Sequence, residues 1–361
     1  MIMYIIGALI LSAVCGFVIT PVILDFCKHK NLYDIPNARK VHKTLVPRLG
    51  GISFFPSMTI TFIVMLFYTH AQEPRIQINI GSAGFLLGAV ILYIIGIIDD
   101  LVGLKPKTKF IAQIVSATLL PLGGLYINNL YGLFGINEIP LFIGVPLTVF
   151  CIVFIDNAIN MIDGIDGLAS GLSLLAFMGF LSYFVYYNVF IFSYCILIAG
   201  LFGTLIAFMY FNILGKTEKN NKLFMGDSGS LTLGFWLGFL SIKCAMDDNA
   251  IWPYRPEAII VPISLLFVPA ADMVRVSFCR LFNHLPLCKA DKNHIHHKLM
   301  QAGMTQHQAF GTIIGMALLI DVTNYCLFSI IGGTWVLVID IIIYSLSYSG
   351  LLFYQKSRQA V

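Results

Sequence analysis

Charge is what this sequence has least of. Lys, Arg, Asp and Glu make up 11% of its 361 residues, less than half of the about 25% found in an ordinary soluble domain. So few charges cannot cover the surface of a soluble fold of this length. No basic stripe and no run of like charge is present, which excludes a nucleic-acid partner and a disordered tail. The eight cysteines form no Cys-x-x-Cys pair, so they read as small buried hydrophobes, not as a disulfide framework or a metal knuckle. No Lys or Arg precedes the first apolar run, Met1 to Thr20. That run therefore lacks the positive flank of a signal peptide and reads as a retained helix.

Apolar length is what the chain has instead. It is 58% hydrophobic, with a mean hydropathy of +0.86. Apolar runs of spanning length cover residues 2–24, 50–69, 80–98, 109–127, 140–158, 168–187, 190–213, 228–246, 257–278, 310–330 and 333–354. They are too long for buried strands, and no alternating ten-residue pattern supports a β-barrel. The expected fold is an all-α polytopic integral membrane protein with about 11 transmembrane helices, residues 1–361 forming one transmembrane catalytic domain.

Nineteen of the 22 Lys and Arg residues fall on the side reached after the first span; only Arg75, Lys243 and Arg255 fall on the other. By the positive-inside rule that side is cytoplasmic, with the N-terminus outside and the C-terminus cytoplasmic. Every polar cluster lies on the same side, in loops at about 25–49, 99–109, 157–168, 214–230 and 279–309. They carry Arg39, Lys43 and Arg48, then Asp99-Asp100 and Lys109, then Asn157-x-x-Asn160-x-x-Asp163-Gly-Ile-Asp166-Gly. Phe224-Met-Gly-Asp227-Ser-Gly-Ser230 and His294-Ile-His296-His297 follow.

Each cluster has a plain reading beside the chemical one. An ionised carboxylate costs about 2.5–3.5 kcal/mol at the bilayer centre, so Asp99-Asp100 belongs at a helix end, as a cap or with one acid on a cation and the other on a reacting group. The amides and acids at 157, 160, 163 and 166 suit a cation, a sugar or a base, or else a cap and a glycine turn. Asp227 before a helix with small neighbours is either a cap or a metal ligand beside a bound diphosphate. Phe224 is packing or a ring for a base. Three histidines in four residues could make a zinc site, but the oxygen-rich clusters favour a hard ion such as Mg2+. The histidines then serve as N–H donors to phosphate. For the basic residues, topology alone is a sufficient reason to be where they are. Together these groups suit the joining of an anionic, metal-bound, water-soluble substrate to an anionic lipid, that is, phosphoryl transfer at a membrane surface.

These motifs resemble those of the polyprenyl-phosphate N-acetylhexosamine-1-phosphate transferases, in order and over nearly the whole chain. The His-Ile-His-His form, with Arg39-Lys40-Val41-His42 and Pro47-Arg48-x-Gly50-Gly51, is similar to the branch that uses UDP-N-acetylglucosamine. The resemblance implies transfer of GlcNAc-1-phosphate from UDP-GlcNAc to undecaprenyl phosphate, with UMP as the other product, in the bacterial cytoplasmic (inner) membrane. This would be the first membrane step of a cell-envelope glycan pathway.

It implies Mg2+, with Mn2+ as a substitute, held by Asp227 and Asn160. Lys109 and His294, His296 and His297 would contact the diphosphate. Asp163, Asp166 and Phe224 would hold the nucleotide or sugar. Asp99 and Asp100 would be catalytic, orienting or deprotonating the lipid phosphate. Asn157, Arg39, Lys43 and Arg48 complete the substrate-binding set. A phosphate monoester is already mostly dianionic at pH 7, which leaves a general base little to do. Another UDP-N-acetylhexosamine or UDP-MurNAc-pentapeptide is an alternative donor, and a homodimer is left open. The rival class is a cation-coupled transporter, which keeps ionisable groups near the midplane. Asp156, Asp272, Asp321 and Asp340 lie inside apolar runs and are its only foothold.

Overall fold

A computed structural model describes residues 2–34, 45–70, 80–187, 192–248, 253–286 and 292–359. Apolar runs without water must satisfy their backbone groups internally, and in a single segment only a helix does so. The described helices are α1 (Ile2–His29), α2 (Phe54–His70), α3 (Ile80–Val102), α4 (Pro106–Leu122), α5 (Leu141–Ile162), α6 (Leu168–Tyr186), α7 (Phe192–Met209), α8 (Asp227–Ala245), α9 (Ile260–Leu265), α10 (Phe267–Phe282), α11 (Ile295–Gln301) and α12 (Gln306–Gln359). A short 3-10 turn, Gly50–Ser53, leads into α2, and a π turn, Tyr210–Leu214, closes α7.

The long α12 is two arms. Gly332 breaks it at φ +75° and ψ +166°, a conformation open to glycine. Asn324 on the first arm donates to Asp340 on the second at 2.7 Å, although they are 16 residues apart in sequence. A continuous helix would separate them by about 24 Å, so the chain doubles back at Gly332. Gln355 near the end of the second arm returns to the Lys298 carbonyl, close to where the first arm starts.

Among the described residues, seven helical segments are long and apolar enough to cross a membrane, with both arms of α12 counted in one segment. The remaining expected runs are also helical, as α4, α8 and the broken pair α9–α10, but these are shorter or more polar. The fold is all-α as expected, and two small antiparallel ladders accompany the helices. β1 (Tyr33–Asp34) pairs with β2 (Val46–Pro47), and β3 (Asn129–Leu133) pairs with β4 (Ile136–Glu138). The second ladder depends on positive φ at Gly132 and Gly135, and also at Tyr131 and Phe134. Hydropathy gives no sign of that.

Helix α8 is the axis of the bundle. Every residue from Ser228 to Ala245 is buried. Small residues let its neighbours close on it. A side chain added at Gly88 of α3 would lie 2.6 Å from the Phe235 ring, and one added at Gly234 would lie 2.5 Å from Asp156 Cα of α5. The seven described cysteines are free thiols.

Candidate active site

The site is built on the N-terminus of α8. Gly226, at φ +75°, turns the chain into the helix, and an added Cβ there would lie 2.3 Å from the Arg48 carbonyl and 2.5 Å from Asp100 Oδ2. Only glycine fits. Asp100, 5% exposed, accepts the backbone N–H groups of Asp227 and Ser228, both at 2.9 Å. Those are unpaired first-turn donors, and a carboxylate there also meets the positive end of the helix dipole. Asp100 therefore performs the capping role, and its two oxygens are committed to α8.

Asp99 faces another way. Its Oδ1 accepts Leu104 N at 2.6 Å, and its Oδ2 accepts Lys109 Nζ at 3.1 Å. The same ammonium donates to Asp227 Oδ2 at 2.9 Å. Asn160 of α5 donates through Nδ2 to Asp227 Oδ1 at 2.7 Å and to Ser230 Oγ at 2.8 Å. Three loops are thus joined through one carboxylate, Asp227.

The neighbouring Asp-Gly-Ile-Asp-Gly turn is fixed separately. Asp166 pairs with Lys222 at 2.6 Å. Asn212 accepts Gly167 N at 2.7 Å and donates to the Leu223 carbonyl at 2.9 Å, tying the third loop to the fourth. Asp163 is partly open at its edge but otherwise enclosed. Burial, with the charges of Asp227, Asp166 and Asp100, pushes its carboxyl up to about 8. Asn157 does not join the group: its Nδ2 is spent on Gln113 of α4 at 2.9 Å and on the Val153 carbonyl at 2.8 Å. Phe224 enters through its backbone, donating to the Pro47 carbonyl and accepting Gly50 N, both at 2.8 Å. This sews the first loop to the fourth and leaves the ring partly exposed. Arg48 stands 3.9 Å from Asp34. Arg39 and Lys43 lie outside the described residues.

The fifth loop reaches the site through its histidines. His296 is 1% exposed and packs on Gly164, where an added Cβ would lie 2.1 Å from its Nε2. Burial, and then the charges of His297 and His294, hold its ring down at about 3, and neither ring nitrogen has a partner. It stands in the wall of the site as a neutral ring, which still carries one N–H to donate. The His294 and His296 rings lie parallel, 5.8 Å apart with a 7° interplanar angle, and His297 lies 4.2 Å from His296. Stacked rings do not converge on one point, as zinc would require.

The sequence reading missed four side chains: Lys222, Asn212, Gln113 and Asp272. Asp272, 1% exposed on α10, accepts His294 Nδ1 at 2.8 Å and Ile295 N at 2.9 Å. The one signal for it was a carboxylate inside an apolar run. The signal for Asn212 was a lone amide at the end of another.

The donors around Asp227 are all oxygens: its carboxylate, the Asn160 amide and the Ser230 hydroxyl. Among the described residues no three His, Cys, Asp or Glu side chains form a ready-made cage. Mg2+ characteristically takes one or two carboxylates and completes its shell with water and substrate phosphate, so the residues present fit it.

Residues 82–245 match the model of a family described as glycosyl transferase family 4. The chain is 30% identical over 307 residues to a Bacillus subtilis protein named a probable undecaprenyl-phosphate N-acetylglucosaminyl 1-phosphate transferase, covering 84% of this chain and 80% of the relative. It is 30% identical over 330 residues to the Escherichia coli K12 undecaprenyl-phosphate alpha-N-acetylglucosaminyl 1-phosphate transferase, covering 90% and 85%. The Yersinia pestis protein of the same name is 31% identical over 281 residues, covering 77% and 72%.

Proposed function

The chain belongs to glycosyl transferase family 4, and on that premise we propose that it transfers GlcNAc-1-phosphate from UDP-GlcNAc to undecaprenyl phosphate, releasing UMP. The observation that carries this reading is the junction of Asp99, Lys109, Asn160 and Asp227 at the α8 N-terminus. Backbone N–H groups, an ammonium and oxygen ligands together meet the needs of a diphosphate.

The acceptor needs an apolar berth, and one lies alongside. A cavity of about 750 Å³ opens between α5, α8, α9–α10 and the second arm of α12, lined by Phe150, Phe154, Phe278, Leu337 and Ile341, with Arg275 also in its wall. Arg275 pairs with Asp272, which holds His294, so the lipid berth adjoins the polar site.

In the reaction, a phosphate oxygen of the lipid forms a bond to the β-phosphorus of UDP-GlcNAc, and the bond from that phosphorus to the UMP oxygen breaks. Two anions must approach, so positive charge is the first requirement. Lys109 supplies one such charge beside Asp227. Mg2+, held when bound by Asp227 and Asn160, would neutralise the diphosphate. Asp99 positions Lys109. Asp100 fixes the helix end whose N–H groups face the site. Asp163 and Asp166 line the wall where the nucleotide or sugar rests.

The eleven-span topology, with the N-terminus outside and the C-terminus cytoplasmic in a bacterial inner membrane, belongs to the same proposal. It is supported by the α12 hairpin and by the gathering of the described parts of the polar clusters at one end. The test is to supply labelled UDP-GlcNAc, with and without polyprenyl phosphate, and to separate the lipid products. UMP release that requires the lipid, stops in EDTA and returns with Mg2+ is expected. Release without lipid, or in EDTA, would overturn it.

A further inference from the structure

Asp272 is placed to do more than fill a helix. Four donors converge on its carboxylate: His294 Nδ1 at 2.8 Å, Ile295 N at 2.9 Å, Arg275 Nη2 at 2.6 Å and Tyr344 OH at 3.2 Å. These donors come from three separate parts of the chain. Arg275 also donates to the Asn293 carbonyl at 2.5 Å and lies over the Tyr348 ring at 4.2 Å. The segment carrying the histidines is thereby fastened to α10 on one side and to the second arm of α12 on the other.

We infer that Asp272 is a positioning residue for the transfer reaction, one that acts through His294 and through the start of α11. Two geometric facts carry this. A carboxylate paired with a guanidinium can only accept, so Nδ1 of His294 must be the donor, and only the Nε2 edge of the ring is left for another partner. The bond to Ile295 N satisfies a first-turn donor of α11, whose N-cap residue, His294, makes no side-chain cap of its own. One carboxylate thus sets the rotation of His294 and begins the helical turn that delivers His296 to Gly164. An oxygen partner on the far nitrogen of a working histidine is the usual way such a ring is fixed, and its removal typically costs about 10–100-fold where this has been measured at metal sites.

The inference rests on the transferase reading, and the experiment separates the two. Initial rates of UMP release are measured in wild type, Asp272→Asn, His294→Ala and the double variant, with UDP-GlcNAc and polyprenyl phosphate varied in turn. Asp272→Asn is expected to lower kcat/KM for the nucleotide sugar by about 10–100-fold while leaving KM for the lipid within about twofold. The double variant is expected to lose clearly less than the product of the two single losses, because what Asp272 does through the His294 ring is already gone in His294→Ala. Asp272→Glu, which keeps the charge, is expected to regain part of the loss.

Additive losses in the double variant, or an equal rise in both KM values, would overturn the inference and leave Asp272 a packing residue. If Asp272→Asn does not yield folded enzyme, the same cycle run with Asp272→Glu decides by the same criterion. Wild type that releases no UMP would sink the transferase reading instead.

Discussion

At the N-terminus of α8, Asp99, Asp100 and Asp227 lie among a lysine, an amide and helix N–H groups. In the α12 hairpin, Asp321 and Asp340 lie among apolar side chains, with one amide and one hydroxyl nearby. Asp340 is 0% exposed and, among the described residues, accepts only Asn324 Nδ2, which also donates to Ser264 at 2.7 Å. Both oxygens of Asp321, Oδ1 of Asp340 and Oδ1 of Asn324 are buried without partners. No Lys or Arg occurs between Lys298 and Lys356. The first group is a set of carboxylates answered by one ammonium and by N–H donors. The second offers only acceptors, and a low-dielectric interior tolerates such acids as neutral groups far better than as ions. Carboxylates in a membrane protein are therefore told apart by what answers them more than by how deeply they lie.

The contrast can be broken most forcefully at Asp227. Asp227→Asn keeps the shape and removes the charge, and should cut UMP release by about 1000-fold, with circular dichroism unchanged. Lys109→Ala should come next, at about 100-fold, together with a lower thermal midpoint, because it leaves Asp99 and Asp227 facing each other unneutralised. Lys109→Arg should restore the stability more than the rate.

Asp321→Asn and Asp340→Asn should behave differently, with activity within about twofold and thermal midpoints no lower than wild type, since the amide is close to the neutral acid in shape. A loss there as deep as at Asp227 would erase the distinction and revive the transporter reading. At neutral pH the smallest effect is that of His296. Its ring is held at about 3, below the about 6.5 of an unfolded chain. Its stabilising share is thus present above about 6.5 and is lost as the pH falls towards 3. Denaturant midpoints between pH 7 and 4 should fall with a steeper slope in wild type than in His296→Gln.

Much of this arrangement was legible beforehand. The apolar runs set the helices, and the Lys and Arg distribution put five polar clusters at one end. The identities of Asp99, Lys109, Asn160, Asp163, Asp166 and Asp227 pointed to anion and cation chemistry. What escaped were residues whose meaning depends on a partner far along the chain. Asn157 sits at the right spacing yet turns to Gln113, because helix phase sends it towards α4. Asp100 looks like the twin of Asp99, but a helix start 127 residues later claims both its oxygens. Asp272 and Asn212 read as blemishes in apolar runs until their partners on other elements are seen. The β3–β4 ladder rests on backbone angles at Tyr131 and Phe134, which composition does not encode.

The burial of α8 carries a consequence for biogenesis. With Lys243, four serines and threonines and three glycines along 19 residues, it is a poor passenger for bare lipid, and its surroundings are made by helices synthesised before and after it. It should leave the insertion machinery only when α3 and α5 already stand beside it. The active centre would then be completed late, by the arrival of its own axis, and a ribosome stalled before that point would leave a bundle with no place for substrate.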